Sequence, residues 1–121
     1  MKTKILVIED NEDNRRIVRD LLTSAGYEVI EAVTGQEGVT AAETRGPELI
    51  LMDIQLPDFD GYEATRRIKA NPALSAIPII AVTSYALSGD DVKAFEAGCD
   101  AYVTKPFSPR ELLAKIREYL Q

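Results

Sequence analysis

The chain reads as a doubly wound α/β protein, with a parallel five-stranded sheet in order 2-1-3-4-5 and helices on both faces. Three observations lead there. Five short apolar runs alternate with five helix-like segments, which is the chain order of (βα)₅ with right-handed crossovers. The runs Ile5–Ile8, Leu49–Met52 and Ile79–Val82 are continuous rather than alternating, as in strands covered on both faces. The 121 residues suit one domain, so 1–121 is expected to be a single unit with no DNA-binding output domain. Five such units commonly wind as 2-1-3-4-5, and ligands then bind outside the carboxyl ends of strands 1 and 3.

Each element carries its own signals. Strand 1 is Ile5–Ile8. Helix 1 reads from Asn11 to Ala25, with Ile17, Val18, Leu21, Leu22 and Ala25 on one stripe and Gly26 just past its end. Strand 2 is Val29–Ala32, and Thr34 with Glu37 offers a capping box for helix 2. The apolar face of that helix, Val39, Ala41 and Ala42, is weak. Strand 3, Leu49–Met52, runs into Asp53. Helix 3 spans about Tyr62 to Ala70 and stops before Pro72. Strand 4 is Ile79–Val82, helix 4 runs from near Ser88 to Gly98, and strand 5 is Ala101–Val103. Helix 5 has Ser108 at the cap, Pro109 in the first turn and Glu111 three after the cap, and turns Leu112, Leu113, Ile116 and Leu120 inward.

Composition excludes several classes of chemistry. There is no histidine and only one cysteine, Cys99. That removes Ser-His-Asp and Cys-His nucleophile systems, the usual zinc sites and an internal disulfide. A net charge of −6, with only short basic pairs such as Arg15-Arg16 and Arg66-Arg67, argues against direct nucleic-acid binding. The longest aliphatic runs span four residues, whereas a membrane-spanning helix needs about 20. With no signal-peptide pattern either, a cytoplasmic protein with no membrane insertion is expected.

What remains is carboxylate, hydroxyl and lysine chemistry at one sheet edge. Glu9 and Asp10 follow strand 1 and Asp53 ends strand 3, and neighbouring strands lie about 5 Å apart. Three acids that close raise one another's pKa unless a cation neutralises them. Oxygen ligands without His or Cys suit Mg²⁺, with Mn²⁺ as a substitute. Glu9 and Asp10 would hold the ion, Asp10 more directly, with Asp53 and the backbone carbonyl of Gln55. Mg²⁺ keeps room for a phosphoryl oxygen. Thr83 after strand 4 and Lys105 after strand 5 add donors for anionic oxygens. Asp53 is then the candidate nucleophile, because a carboxylate can accept a phosphoryl group as an acyl phosphate.

Taken singly, each residue has a plainer explanation. Glu9 and Asp10 could favour the start of helix 1, Asp53 could open a turn, Thr83 suits a strand and Lys105 suits a solvated surface. Their joint arrival at one edge is what those explanations do not cover. A phosphohydrolase on this fold would want a second acid two residues after the nucleophile, where Gln55 stands. A flavin mononucleotide module would set its phosphate against these carboxylates and would lack a Ser/Thr/Gly-rich cradle in the first βα loop.

Glu9-Asp10, the stretch Leu49 to Pro57 with Asp60-Gly61, Val82-Thr83-Ser84-Tyr85-Ala86, and Tyr102 to Phe107 together resemble the bacterial response-regulator receiver domain, of the CheY-like superfamily and the single-domain DivK-like type. The resemblance covers essentially the whole chain. It implies a flavodoxin-like fold and a phospho-acceptor switch rather than an enzyme. Asp53 would be phosphorylated from a sensor histidine kinase or histidine phosphotransfer protein with Mg²⁺, by self-catalysed transfer, followed by slow autodephosphorylation. It further implies that Thr83 swings toward the phosphoryl group and Tyr102 follows inward. That change alters a helix 4–strand 5–helix 5 face that meets a downstream protein partner. A cis peptide at Lys105-Pro106 is also implied. Gln55 and Tyr85 are expected to tune phosphoryl lifetime, and Asn14 and Arg15 to flank the partner kinase. Tyr102 also reads as a core aromatic and Cys99 as a small buried hydrophobe.

Overall fold

The computed structural model of the chain describes residues 2–83 and 90–120. Tyr85 and the helix start at Ser88 lie outside the described residues.

Among the described residues ten elements alternate strictly: β1 (Lys4–Ile8), α1 (Glu12–Ser24), β2 (Glu28–Ala32), α2 (Gly35–Arg45), β3 (Leu49–Asp53), α3 (Gly61–Lys69), β4 (Ile79–Thr83), α4 (Asp90–Ala97), β5 (Ala101–Thr104) and α5 (Pro109–Leu120). The strands pair in parallel in the order β2-β1-β3-β4-β5. This is the expected (βα)₅ winding, and it brings the carboxyl ends of β1, β3, β4 and β5 to one edge.

Strand alternation splits the apolar residues into two layers. Leu6, Ile8, Ile50, Met52, Ile79 and Ala81 face α2 and α3, where they meet Val39, Ala42, Ala64 and Ile68. Ile5, Val7, Leu49, Leu51, Ile80 and Val103 point the other way, onto Leu22, Leu112 and Ile116 of α1 and α5. Continuous aliphatic strands are therefore what this sheet requires, since each neighbouring side chain has its own helix layer to fill. Cys99 is buried in the first layer with its Sγ 3.6 Å from Thr65 Oγ1, and burial pushes its thiol pKa up.

The caps follow the sequence closely. Asn11, read as the first helical residue of helix 1, instead caps it: its Oδ1 accepts from the N–H of Asn14 at 2.9 Å. Thr34 caps α2 by accepting from the N–H of Glu37 at 3.0 Å, and Ser108 caps α5 through the N–H of Glu111 at 3.0 Å. Gly26 takes a φ of 95° just past α1, a conformation that glycine adopts without steric cost. The stripe on helix 1 is narrower than the periodicity suggested. Leu22 is fully buried and Val18 and Leu21 partly so, but Ala25 is exposed and Ile17 is 60% exposed. Ile17 lies on the first turns of the helix, at the mouth of a cavity of about 160 Å³ that it shares with Val18, Phe107 and Leu112.

Candidate functional site

The cleft at the carboxyl edge is built from strand tips. In the β1–β3 register Ile8 faces Met52, so Glu9 and Asp53, one residue on, leave the sheet side by side. Carboxylate oxygens of Glu9, Asp10 and Asp53 all lie within 4.8 Å of one another, with Glu9 and Asp53 buried and Asp10 exposed. Lys105, from the end of β5, reaches into the same corner. Its Nζ stands 2.6 Å from Glu9 Oε1 and 3.7 Å from Asp53 Oδ2. Thr83 is buried at the end of β4 and its carbonyl accepts from the N–H of Lys105 at 2.7 Å, which fixes the start of the β5–α5 turn. The Lys105–Pro106 peptide bond in that turn is cis.

Backbone donors hold the acids in place. The N–H of Gln55 donates to Asp53 Oδ1 at 3.0 Å, and the N–H of Asn11 donates to Glu9 Oε2 at 3.3 Å. Gly61 is required by a close approach, because a Cβ at that position would run into the backbone carbonyl of Asp53. Its own N–H donates to the carbonyl of Ile54 at 2.8 Å. The Asp60-Gly61 pair is thus explained: Asp60 caps α3 through the N–H of Glu63 at 2.9 Å, and Gly61 lets that helix start directly against the loop after Asp53.

The electrostatics follow from crowding. Burial first, then the hydrogen bond and charge of Glu9, push the Asp53 pKa up to about 7. Burial also acts on Glu9, but its hydrogen bonds with Asp53 and Lys105 and the Lys105 charge outweigh it and leave its pKa lowered. Asp53 therefore keeps its proton to higher pH than an ordinary carboxyl does, and a cation at this corner would displace it. A donor set of three carboxylates, with no nitrogen or sulfur ligand among them, suits a hard dication.

Of the residues expected at the site, Glu9, Asp10, Asp53 and Lys105 converge at one corner. Thr83 lies at the adjoining strand tip, and Gln55 is joined to Asp53 through its N–H. Tyr102 lies on β5, in register with Ala81, half-buried against the apolar layer that holds Ile79, Ala81 and Ala94. Two features escaped the sequence. Arg15, which the sequence marks only as half of a short basic pair and as a residue flanking the partner kinase, is largely enclosed: Nη1 donates to the Glu9 carbonyl at 3.1 Å and Nε pairs with Glu31 Oε1 at 3.0 Å. Asp58, in the loop after β3, accepts from the N–H groups of Gly35 and Gln36 at the start of α2. An exposed acid after Pro57 reads only as a turn, and no local signal marks a partner more than twenty residues upstream.

Known proteins share this sequence pattern and fold. The profile of the response regulator receiver domain family matches residues 5–117. The polar-differentiation response regulator DivK of Brucella ovis is 42% identical over 120 residues, covering 99% of this chain and 98% of that protein. A CheY-like receiver domain protein from Methanospirillum hungatei superposes with a TM-score of 0.91 at 38% identity, covering 99% of this chain and 94% of the other. The receiver domain of a sensor histidine kinase from Pseudomonas aeruginosa, which carries a magnesium ion in its active-site cleft, gives a TM-score of 0.93 at 38% identity over 99% of this chain and 98% of that one. Sequence, winding order and the acid-lined cleft agree: the chain belongs to the response regulator receiver domain family, the CheY-like signalling modules of two-component systems.

Proposed function

We propose that Asp53 is the phosphoryl acceptor of this receiver, with a phosphohistidine on a sensor histidine kinase or histidine phosphotransfer protein as donor. The observation that carries this is the meeting of Glu9, Asp10 and Asp53 with the Lys105 ammonium at one corner. A carboxylate oxygen of Asp53 attacks phosphorus, the O–P bond forms, and the P–N bond to the donor imidazole breaks with its electron pair leaving on nitrogen.

Glu9, Asp10, Asp53 and the Gln55 backbone carbonyl would hold Mg²⁺, with Mn²⁺ able to take its place. The bound ion supplies positive charge to the phosphoryl oxygens. The chain's own residues do the rest. Lys105 offers its ammonium to a phosphoryl oxygen once it exchanges Glu9 for the incoming charge. The N–H of Gln55 keeps the Asp53 carboxylate oriented. The Thr83 hydroxyl turns toward the phosphoryl group, Tyr102 moves inward after it, and the α4–β5–α5 face changes its fit to a downstream protein partner. Water later removes the phosphoryl group slowly, without a dedicated base.

Residues 1–121 act as one receiver unit in this reading, in the cytoplasm, without direct nucleic-acid contact or membrane insertion. Among the described residues no helix is long and apolar enough to cross a membrane, and the net charge is −6. The test is intact mass after incubation with phosphoramidate and Mg²⁺. A gain of one phosphoryl group on the wild type, absent from Asp53→Asn and from samples with excess chelator, supports the assignment. An equal gain on Asp53→Asn overturns it.

A further inference from the structure

The loop that carries Gln55, residues 54–60, is tied at its far end to a different element. The Asp58 carboxylate accepts from Gly35 N–H at 2.8 Å and from Gln36 N–H at 2.9 Å, the first two residues of α2. Next to it, Phe59 fills the space over Gly35, where a Cβ would come within 2.5 Å of Phe59 Cε2. The Arg67 guanidinium lies over that ring, 4.0 Å from its centre. Helix α2 in turn sits on β1. Gly38 lies so close to Ile8 that a Cβ there would run into the Ile8 side chain, and the N–H of Glu9 donates to the carbonyl of Ala32 at 3.0 Å. Asp58 therefore joins the two walls of the cleft. One wall is the end of β1 with Glu9 and Asp10; the other is the loop with Gln55.

We infer that Asp58 is a positioning residue for the metal site: its carboxylate bridge to the start of α2 sets how far the Gln55 loop stands from Glu9 and Asp10. This rests on the assignment of the acid cluster to Mg²⁺ made above. The physical case is that Mg²⁺ demands near-octahedral oxygens at about 2.0–2.1 Å and tolerates little displacement. Other hydrogen bonds of the loop, from Ile54 N–H to the Val82 carbonyl, from Gln55 N–H to Asp53 Oδ1 and from Gly61 N–H to the Ile54 carbonyl, hold its base rather than its tip. A carboxylate on two N–H groups at a helix N-terminus is a charge-assisted contact suited to hold the tip.

The test is Mg²⁺ titration by calorimetry on the full chain, together with thermal melting of each variant. The variants are Asp58→Ala, Asp58→Asn and Thr34→Ala. The last weakens the start of α2 by removing its Thr34 cap but leaves the Asp58 bridge in place. Asp58→Ala should weaken Mg²⁺ binding roughly 10-fold, as loss of a supporting group around a metal site does. Asp58→Asn keeps one acceptor oxygen and should fall between, roughly 3-fold weaker than wild type. Thr34→Ala should lower the melting temperature yet bind Mg²⁺ within about twofold of wild type. Wild-type affinity in Asp58→Ala overturns the inference, and so does an equal weakening in Thr34→Ala. If Asp58→Ala does not fold, Asp58→Asn decides, and wild-type affinity there overturns it. Should wild type itself show no Mg²⁺ binding that Asp53→Asn diminishes, the metal assignment falls first and this inference with it.

Discussion

At Asp53 two demands pull against each other. As the proposed phosphoryl acceptor its carboxylate must be ionised, yet burial and the neighbouring Glu9 hold its pKa at about 7. The consequence for stability has a definite sign. In the metal-free protein the folded state keeps a proton that the unfolded chain releases between its ordinary value of 3.8 and about 7, so stability falls as pH rises through that window. Asp53→Asn removes the conflict. In chelator at pH 8 it should melt higher than wild type by about 4 °C or more, and the gap should close as pH drops below about 4. Parallel thermal melts across pH check this; an Asp53→Asn variant less stable than wild type at pH 8 contradicts it. Lys105 makes a second case. Lys105→Met should slow phosphorylation by phosphoramidate on the order of 100-fold, as loss of one charge-stabilising donor does. Its Mg²⁺ affinity should hold or rise, because a competing cation has left Glu9. Rates from intact mass and calorimetric titration of the same sample separate the two effects.

Among the elements, the strands were legible because each carries its own instruction. Ile5–Ile8, Leu49–Met52 and Ile79–Val82 are aliphatic without interruption, and both faces of those strands are covered. Caps at Thr34 and Ser108 were equally local and stand as read. What misled was a helix that runs past the layer it packs on. Ile17 keeps the period of the α1 stripe, but its turn overhangs the cleft and leaves it 60% exposed. Asp58 and Arg15 were illegible for another reason, since their partners arrive from β2 and α2 only once the sheet is wound. In the sequence Gly61 reads only as part of a motif, whereas its cause is the carbonyl of Asp53 lying against it. Gly61→Ala should therefore cost about 1–3 kcal/mol by overpacking, although alanine suits a helix better than glycine does. Urea denaturation measures the cost, and a variant as stable as wild type would show that the approach is not tight. The same variant should phosphorylate more slowly, because the loop after Asp53 must shift to admit the methyl group.

For the whole molecule, the winding order turns scattered residues into a site. Glu9, Asp53, Thr83 and Lys105 come from four different strand ends, and the order β2-β1-β3-β4-β5 sets those ends along one edge. At that scale the absence of histidine left carboxylate, hydroxyl and lysine chemistry around a hard metal ion as the candidate. The most direct measurement is a crystal structure grown with Mg²⁺ and beryllofluoride, a mimic of the phosphoryl group. With Asp53 as the acceptor, beryllium is expected on an Asp53 carboxylate oxygen, Lys105 turned onto a fluoride, and Mg²⁺ among Asp10, Asp53 and the Gln55 carbonyl with Glu9 close by. A fully formed crystal with that corner empty, or with the mimic bound at another acid, contradicts it.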